Sequence, residues 1–177
     1  MILTGRYITQ EVERLRITLE PFEPSQVNPN SYNYRLGRRI KAFDRFEGRS
    51  AKFVDVDLPD DGFTVLPGRL YLGHTLEVIG SQWYAMSLIG RSSLGRLGLF
   101  LQVSANLGHT TSAHRWTLEL YAAQPIRLYP EMVVGQVSFW ENYGPIRDLG
   151  KTYAHFSLPH ETVAAAMTSR VGESDRT

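Results

Sequence analysis

Short apolar or alternating runs, separated by glycine, proline, asparagine and aspartate, fill the chain between residues 32 and 139. Each run has the length of a strand rather than of a helix. Before this region, Pro21, Pro24 and Pro29 rule out a long helix, because proline breaks a helix interior. This spacing predicts an all-β fold, either a distorted barrel, a sandwich or a jelly roll, rather than alternating α/β units. The predicted strands are residues 17–19, 38–43, 52–56, 63–66, 70–72, 83–89, 100–103, 116–121, 126–129 and 133–139.

One helix is predicted near the start of the chain, over residues 4–15. Its apolar face would carry Ile8, Val12 and Leu15, which recur at helical spacing. We expect Glu11 to stay outside in solvent, like the other charged side chains of this helix.

The composition limits both the architecture and the classes of function. A length of 177 residues fits one domain, assigned to residues 1–158, with a C-terminal tail over residues 159–177 that is predicted to begin as a helix and then fray. The absence of cysteine excludes disulfide scaffolds, thiolate metal sites and thiol nucleophiles. The net charge of +1 gives no reason to expect a nucleic-acid partner. No apolar run approaches the ~18 residues that span a bilayer, so we expect a soluble, cytoplasmic protein without a membrane partner.

Residues 90–99, GRSSLGRLGL, place two arginines, two serines and three glycines directly after a predicted strand. The hydroxyl groups of Ser92 and Ser93 and the backbone N–H groups of such a turn can surround phosphate oxygens, and Arg91 adds a forked cationic donor. The alternative is a surface turn that starts a short helix, with Arg91 and Arg96 solvated. Composition alone favours this alternative, because glycine-rich turns are common and most of them bind nothing.

A glutamate lies within residues 116–121, WTLELY, which are predicted to form a strand. In an alternating strand Glu119 shares one face with Thr117, while the apolar side chains line the other face. An acid at such a position is ordinarily an exposed strand residue. If its face lines a dry pocket instead, the carboxylate can shuttle protons near neutral pH, and Arg96 is the natural partner to hold it ionised and oriented.

Several boxes follow one another along the chain in a fixed order. They resemble the deoxycytidine triphosphate (dCTP) deaminase branch of the trimeric dUTPase-like superfamily, whose signature reads GRSSLARLGL, with Gly95 here in place of the alanine. The resemblance covers most of the chain and implies a distorted all-β barrel of the dUTPase-like type, with a short N-terminal helix and a C-terminal tail. The boxes are NPNSYNYRLG at residues 28–37, LPG at 66–68, GRSSLGRLGL at 90–99, TLEL at 117–120, and LYP with GQ within 128–136.

This resemblance implies a role for each matching residue of the phosphate segment and of the acidic strand. Arg91, Ser92 and Ser93 would contact the nucleotide triphosphate, with Mg²⁺ bridging its oxygens, and Ser92 also belongs to the implied catalytic set. Glu119 would be the catalytic acid/base that takes a proton from the water attacking C4 of cytosine. Arg96 would orient Glu119 and that water.

The resemblance implies further contacts to the substrate and an assembly state. The backbone around Ser104 and Ala105 would hold the base and the nucleophilic water. His109, Lys151 and Tyr153 are candidates for substrate binding, and Lys151 resembles a tail lysine that closes over the γ-phosphate. The family assembles as a homotrimer in which neighbouring subunits share each active site.

One departure from the family pattern bears on the product. His109 occupies the place of an aspartate that, in dUTPases, activates the hydrolytic water and contacts the sugar 3′-hydroxyl. No other acid lies between Ala105 and Arg115. We therefore expect no pyrophosphate hydrolysis of dUTP.

A zinc-dependent route is not expected either. Zinc deaminases activate water with a metal held by histidine and cysteine, and this chain has no cysteine. His109 and His114 are five residues apart and would lie on opposite faces of an extended segment, so we interpret them as loop or surface histidines. No metal ligands are predicted among the protein side chains.

Three interpretations remain. The preferred one is a hydrolase that converts dCTP to dUTP and ammonia by a metal-independent mechanism, because Arg96 and Glu119 are both present. The second is the same chemistry on a different or modified cytosine nucleotide, suggested by the altered residues 105–114. The third is a non-catalytic nucleotide-binding paralogue that keeps the phosphate segment as structure.

Overall fold

The computed structural model describes residues 1–47, 50–101 and 105–146, and this part of the chain is built mainly of strands. The all-β prediction is confirmed, and each predicted strand overlaps an observed one. The strands are β1 (Ile17–Glu20), β2 (Tyr32–Arg35), β3 (Arg39–Glu47), β4 (Ser50–Asp57), β5 (Phe63–Val65), β6 (Leu70–His74), β7 (Val78–Ser81), β8 (Tyr84–Gly90), β9 (Leu99–Leu101), β10 (Leu107–Gly108), β11 (Ser112–His114), β12 (Thr117–Ala122), β13 (Ile126–Leu128) and β14 (Val133–Glu141).

Antiparallel pairing joins these strands into four sheets. The largest has the order β4-β3-β6-β12-β9, and a four-stranded sheet has the order β10-β8-β14-β2. Two smaller sheets have the orders β1-β7-β11 and β13-β5. Neighbours in each sheet are often distant in sequence, so the architecture depends on long-range pairing.

The sheets enclose one hydrophobic core because their strands alternate buried and exposed side chains. On β12, Leu118 and Leu120 are fully buried, whereas Thr117 and Glu119 on the opposite face remain partly exposed. One face of the five-stranded sheet thus packs on the core while the other is open to a ligand. The largest fully buried side chains are Tyr32, Tyr34, Phe139, Ile8, Ile17, Leu36, Ile40, Ile79, Met86, Leu88, Leu99 and Leu118.

The N-terminal helix α1 spans Gly5–Glu13 and is shorter than predicted. Ile8 is fully buried as expected, but Leu15 is 85% exposed. The chain leaves the helix before this residue, and Leu15 itself adopts a left-handed φ of 60°. The prediction that Leu15 lies on the apolar face of the helix was therefore wrong, because the helix ends before this residue.

A second correction concerns Glu11, which was expected in solvent but is fully buried. Its carboxylate accepts hydrogen bonds of 2.8 Å from Arg14 Nη1 and 2.8 Å from the hydroxyl of Tyr84 on β8. Arg16 Nη1 lies 3.6 Å from the same carboxylate. Burial acts to raise the pKa of Glu11, but the two hydrogen bonds and the arginine charges outweigh it and leave that pKa lowered.

The lowered pKa of Glu11 predicts a pH-dependent loss of stability in Glu11→Gln. At pH 7 we expect the free energy of unfolding to fall by about 1–3 kcal/mol, because the amide lacks the charge and one of the two acceptor oxygens that Arg14 and Tyr84 contact. The ionised glutamate stabilises the fold above its ordinary pKa of about 4.5 and loses that effect as the pH falls below it. Urea unfolding at pH 7 and near pH 3 tests this difference, with the exposed Glu13→Gln as control. Equal stabilities of wild type and Glu11→Gln at pH 7 would contradict the assignment.

Two expectations concern membrane spanning and the C-terminal tail. Among the described residues, no helix is long and apolar enough to cross a membrane. The proposed boundary at residue 158 and the helical tail over residues 159–177 lie outside the described residues.

Candidate active site

A groove of about 890 Å³ lies between the open face of the five-stranded sheet and residues 105–116. Glu119 and Thr117 of β12 line its floor together with Leu72 of β6. Ala105 and His109 line its other side. The structure therefore brings three of the predicted site residues, Glu119, Ala105 and His109, to one groove.

The strand register determines the surroundings of Glu119 on the sheet. Glu119 pairs with Leu72 of β6, which in turn pairs with Lys41 of β3, so these three side chains form one row on the open face. In the next row Thr117 pairs with His74. His74 is buried, and this burial lowers its pKa. The acid predicted from the alternation of β12 thus lies on the ligand-accessible face, half-buried rather than in open solvent.

Three phenylalanines form an aromatic wall of the groove that the sequence reasoning missed. Phe43 and Phe46 are three residues apart, and strict alternation would place them on opposite faces. A register shift between Phe43 and Arg45 inserts one extra residue into β3 and turns both rings to the same face. The ring centroids lie 5.0 Å apart for Phe43 and Phe46, and 5.9 Å apart for Phe43 and Phe53 of β4. The spacing of apolar residues on both strands was visible in the sequence, but the bulge was not.

His109 and His114 both line the groove, which corrects their expected placement on opposite faces. The segment between them is not extended, because it turns at Thr111 with a left-handed φ of 75°. Moreover, His114 is buried, with 7% of its surface exposed, and is not a surface histidine. No group of three or more His, Asp or Glu residues within the described ranges is arranged to hold a metal ion.

Close pairing of β11 with β7 fixes His114 in the groove wall. Gly80 lies opposite Ala113, and a Cβ on Gly80 would come within 2.3 Å of the Ala113 Cα. Only glycine therefore allows the two strands to approach this closely. The ring of His114 then stacks on Trp116 with 4.2 Å between centroids, and Trp116 Nε1 donates a 2.9 Å hydrogen bond to the Ile79 carbonyl.

The phosphate segment forms the start of helix α2 (Ser92–Arg96), directly after β8. Ser92, Ser93 and Arg96 are exposed, while Arg91 is half-buried and its backbone N–H donates to the Val134 carbonyl at 3.2 Å. None of these four side chains lines the groove around Glu119. One chain thus presents a groove that Glu119 lines and, apart from it, a hydroxyl-rich and cationic turn, which we call the phosphate turn (Arg91, Ser92, Ser93 and Arg96).

Three further predicted site residues, Ser104, Lys151 and Tyr153, lie outside the described residues. The groove supplies a carboxylate, two imidazoles, the guanidinium of Arg69 and apolar walls, which can bind a planar heterocycle and exchange protons with it. The phosphate turn supplies hydroxyl and guanidinium donors that suit an oxyanion.

Comparison with known proteins identifies the family. A family model described as dCTP deaminase-like matches residues 2–142. A protein of Rhodopirellula baltica named dCTP deaminase is 39% identical over 147 residues, which cover 81% of this chain and 74% of that protein. A protein of Hathewaya histolytica named dCTP deaminase, dUMP-forming, is 37% identical over 145 residues, which cover 78% of this chain and 82% of that protein.

A solved structure supports the fold. The crystal structure of 2′-deoxycytidine 5′-triphosphate deaminase from Agrobacterium tumefaciens matches with a TM-score of 0.65 at 21% identity. The match covers 80% of this chain but 48% of that chain, so this protein spans about half the length of the solved one. From the family match and the identities above, the chain belongs to the dCTP deaminase-like family.

Proposed function

We propose that this protein hydrolytically deaminates a cytosine nucleotide, with dCTP as the substrate and dUTP and ammonia as the products. The observation that carries the proposal is the position of Glu119, half-buried on the floor of a groove with aromatic and apolar walls. The names of its relatives support the same reaction, since they are called dCTP deaminases.

In the proposed reaction, Glu119 acts twice as a proton carrier. Its carboxylate takes a proton from a water molecule, and the hydroxide attacks C4 of the cytosine ring to form a tetrahedral intermediate. The protonated glutamate gives this proton to N3 of the ring. It then takes the proton of the C4 hydroxyl and gives it to the amine, which leaves as ammonia when the C4–N bond breaks and the C4 carbonyl forms, so that water and cytosine become uracil and ammonia. One carboxylate can serve both proton transfers because it is ionised again after each of them. The apolar walls support this role, since a water-poor site strengthens electrostatic interactions.

The phosphate turn would bind the triphosphate, and a neighbouring subunit would supply it. Ser92, Ser93 and Arg96 are exposed and Arg91 is half-buried, but none of the four lines the groove of its own chain, which supports a shared site in a homotrimer. In that arrangement Arg96 of one subunit would orient Glu119 of the next. The homotrimer and the cytoplasmic location stay predictions.

Mixing two inactive variants tests the shared site. Co-expressed Glu119→Gln and Arg96→Ala subunits should form mixed trimers in which one site combines an intact glutamate with an intact arginine. We expect such trimers to recover up to one active site each, whereas either variant alone stays inactive. If mass spectrometry detects mixed trimers without deaminase activity, the two groups do not meet across subunits.

Mg²⁺ would be held by the triphosphate of the substrate rather than by protein carboxylates. When bound, it would neutralise phosphate charge beside the phosphate turn. The residues that would hold the complex are Arg91, Ser92 and Ser93.

Ammonia release from dCTP, CTP and dCMP tests the proposed reaction directly. Ammonia release from dCTP alone supports the proposal. Faster release from CTP or dCMP would correct the assigned substrate but leave the proposed deamination in place. Tight nucleotide binding without ammonia from any of the three would instead indicate a non-catalytic nucleotide-binding protein.

A second candidate product is dUMP, because the relative from Hathewaya histolytica is named dUMP-forming. The imidazole of His109 in place of a carboxylate favours dUTP, since a carboxylate is the group expected to activate water for attack on the phosphate chain. Phosphorus NMR of the reaction mixture separates the two products. We expect the triphosphate signals to persist, and the appearance of pyrophosphate would assign dUMP as the product.

A further inference from the structure

His114 has a ring nitrogen that no group in the described residues satisfies. Its Nδ1 lies 2.9 Å from the carbonyl oxygen of Arg115, while its Nε2 is buried and has no hydrogen-bond partner in the part of the chain that the structure describes. The residue is 93% buried, stacks on Trp116 and lines the same groove as Glu119. Buried nitrogen atoms without a partner are rare, and each one calls for a physical explanation.

The contacts of the ring define what kind of partner Nε2 requires. A carbonyl oxygen can only accept, so Nδ1 carries the proton and donates to Arg115. In the neutral ring Nε2 then presents a lone pair and needs a hydrogen-bond donor. A buried acceptor without a hydrogen-bond partner is destabilising, and a donor on a ligand removes that penalty.

If the substrate is dCTP, as proposed above, it offers few donors. The amino group on C4 is the leaving group and must lie at Glu119. The phosphates are ionised acceptors. The remaining donor is the 3′-hydroxyl, the one free hydroxyl of a deoxyribose triphosphate.

We infer that His114 is a positioning and specificity residue whose Nε2 accepts a hydrogen bond from the 3′-hydroxyl of the bound nucleotide. Because Nε2 is buried, this bond requires the ring to pivot slightly about χ2 as the sugar enters. This torsion has a broad minimum in histidine. The stack on Trp116 limits this pivot and keeps the ring in the wall. This hydrogen bond would hold the sugar beside β11 while the base contacts Glu119 on β12. This inference rests on the proposed function for the identity of the ligand.

The test compares dCTP with 2′,3′-dideoxy-CTP, which lacks the 3′-hydroxyl, on three forms of the protein. His114→Asn keeps a side-chain donor near the Arg115 carbonyl but removes the atom at Nε2, whereas His114→Gln retains an amide at the Nε2 position. For the wild type we expect dCTP to bind about tenfold more tightly than the dideoxy analogue, as for one hydrogen bond. His114→Asn should reduce this ratio to near one, and His114→Gln should restore part of it.

Binding measured by calorimetry keeps this test independent of turnover. If His114 had a merely structural role, its substitution would weaken the binding of both nucleotides equally and leave the ratio of their dissociation constants unchanged. That result would overturn the inference. Equal binding of both nucleotides to the wild type would overturn it even if the His114 variants do not fold. Failure of the proposed function has a different signature. No cytosine nucleotide would then release ammonia, but the ratio of the two dissociation constants would still test the role of His114.

Discussion

Replacing Glu119 by glutamine is expected to lower kcat for dCTP deamination by about 10²–10⁴-fold, the range for removing a general acid/base. The amide keeps the size of the side chain on the groove floor but cannot take a proton from water. Binding of dCTP should therefore change little, because the loss concerns the reacting proton and not the fit. Ammonia release gives the rate, and calorimetry gives the dissociation constant.

A matched control for this variant is Glu131→Gln, since Glu131 is exposed and pairs with Arg38 at 2.9 Å, outside the groove lining. It should retain full activity. A Glu119→Gln protein that deaminates dCTP within tenfold of the wild type would exclude Glu119 as the proton carrier. Loss of both activity and dCTP binding would instead indicate a damaged groove, which near-ultraviolet circular dichroism would detect.

Replacing Arg91 by alanine is expected to weaken dCTP binding by about 1.5–3 kcal/mol, the range for a hydrogen bond to a charged group. This corresponds to an increase of about 10- to 150-fold in the dissociation constant. The effect should depend on the phosphates, because a guanidinium donates to ionised oxygens. Binding of deoxycytidine, which has no phosphate, should therefore be the same in wild type and Arg91→Ala.

The control for Arg91 is Arg127→Ala. Arg127 is an exposed arginine outside the phosphate turn, and its Nη2 lies 3.3 Å from Asp61 in a surface ion pair. Its removal should leave dCTP affinity unchanged, since exposed ion pairs contribute little. If Arg91→Ala also leaves the affinity for dCTP unchanged, residues 91–96 form a solvated surface turn and do not bind the phosphates.

Features that depend on local alternation could be read from the sequence alone. The all-β architecture follows from short runs with turn residues between them, and the face that Glu119 shares with Thr117 follows from the period of two in a strand. The short helix after β8 was also foreseeable, because a glycine-rich turn with two serines is typical of a helix start. These features need no knowledge of what the chain packs against.

Features that depend on long-range partners could not be read in this way. Glu11 is charged and was expected in solvent, yet Tyr84, 73 residues away, supplies the hydroxyl that makes its burial tolerable. A single bulge in β3 brings Phe43 and Phe46 to one face, and no local sequence pattern predicts this bulge.

The sequence by itself determined the strand-rich class, the family and the carboxylate that we propose for the chemistry. The tertiary structure decided which surface that carboxylate lines and that His109 and His114 share it. It also decided that the phosphate turn lies apart from the groove within one chain. The physical reason is that strand periodicity is set by neighbouring residues, whereas the register between strands and the turn at Thr111 are set by packing across the whole fold.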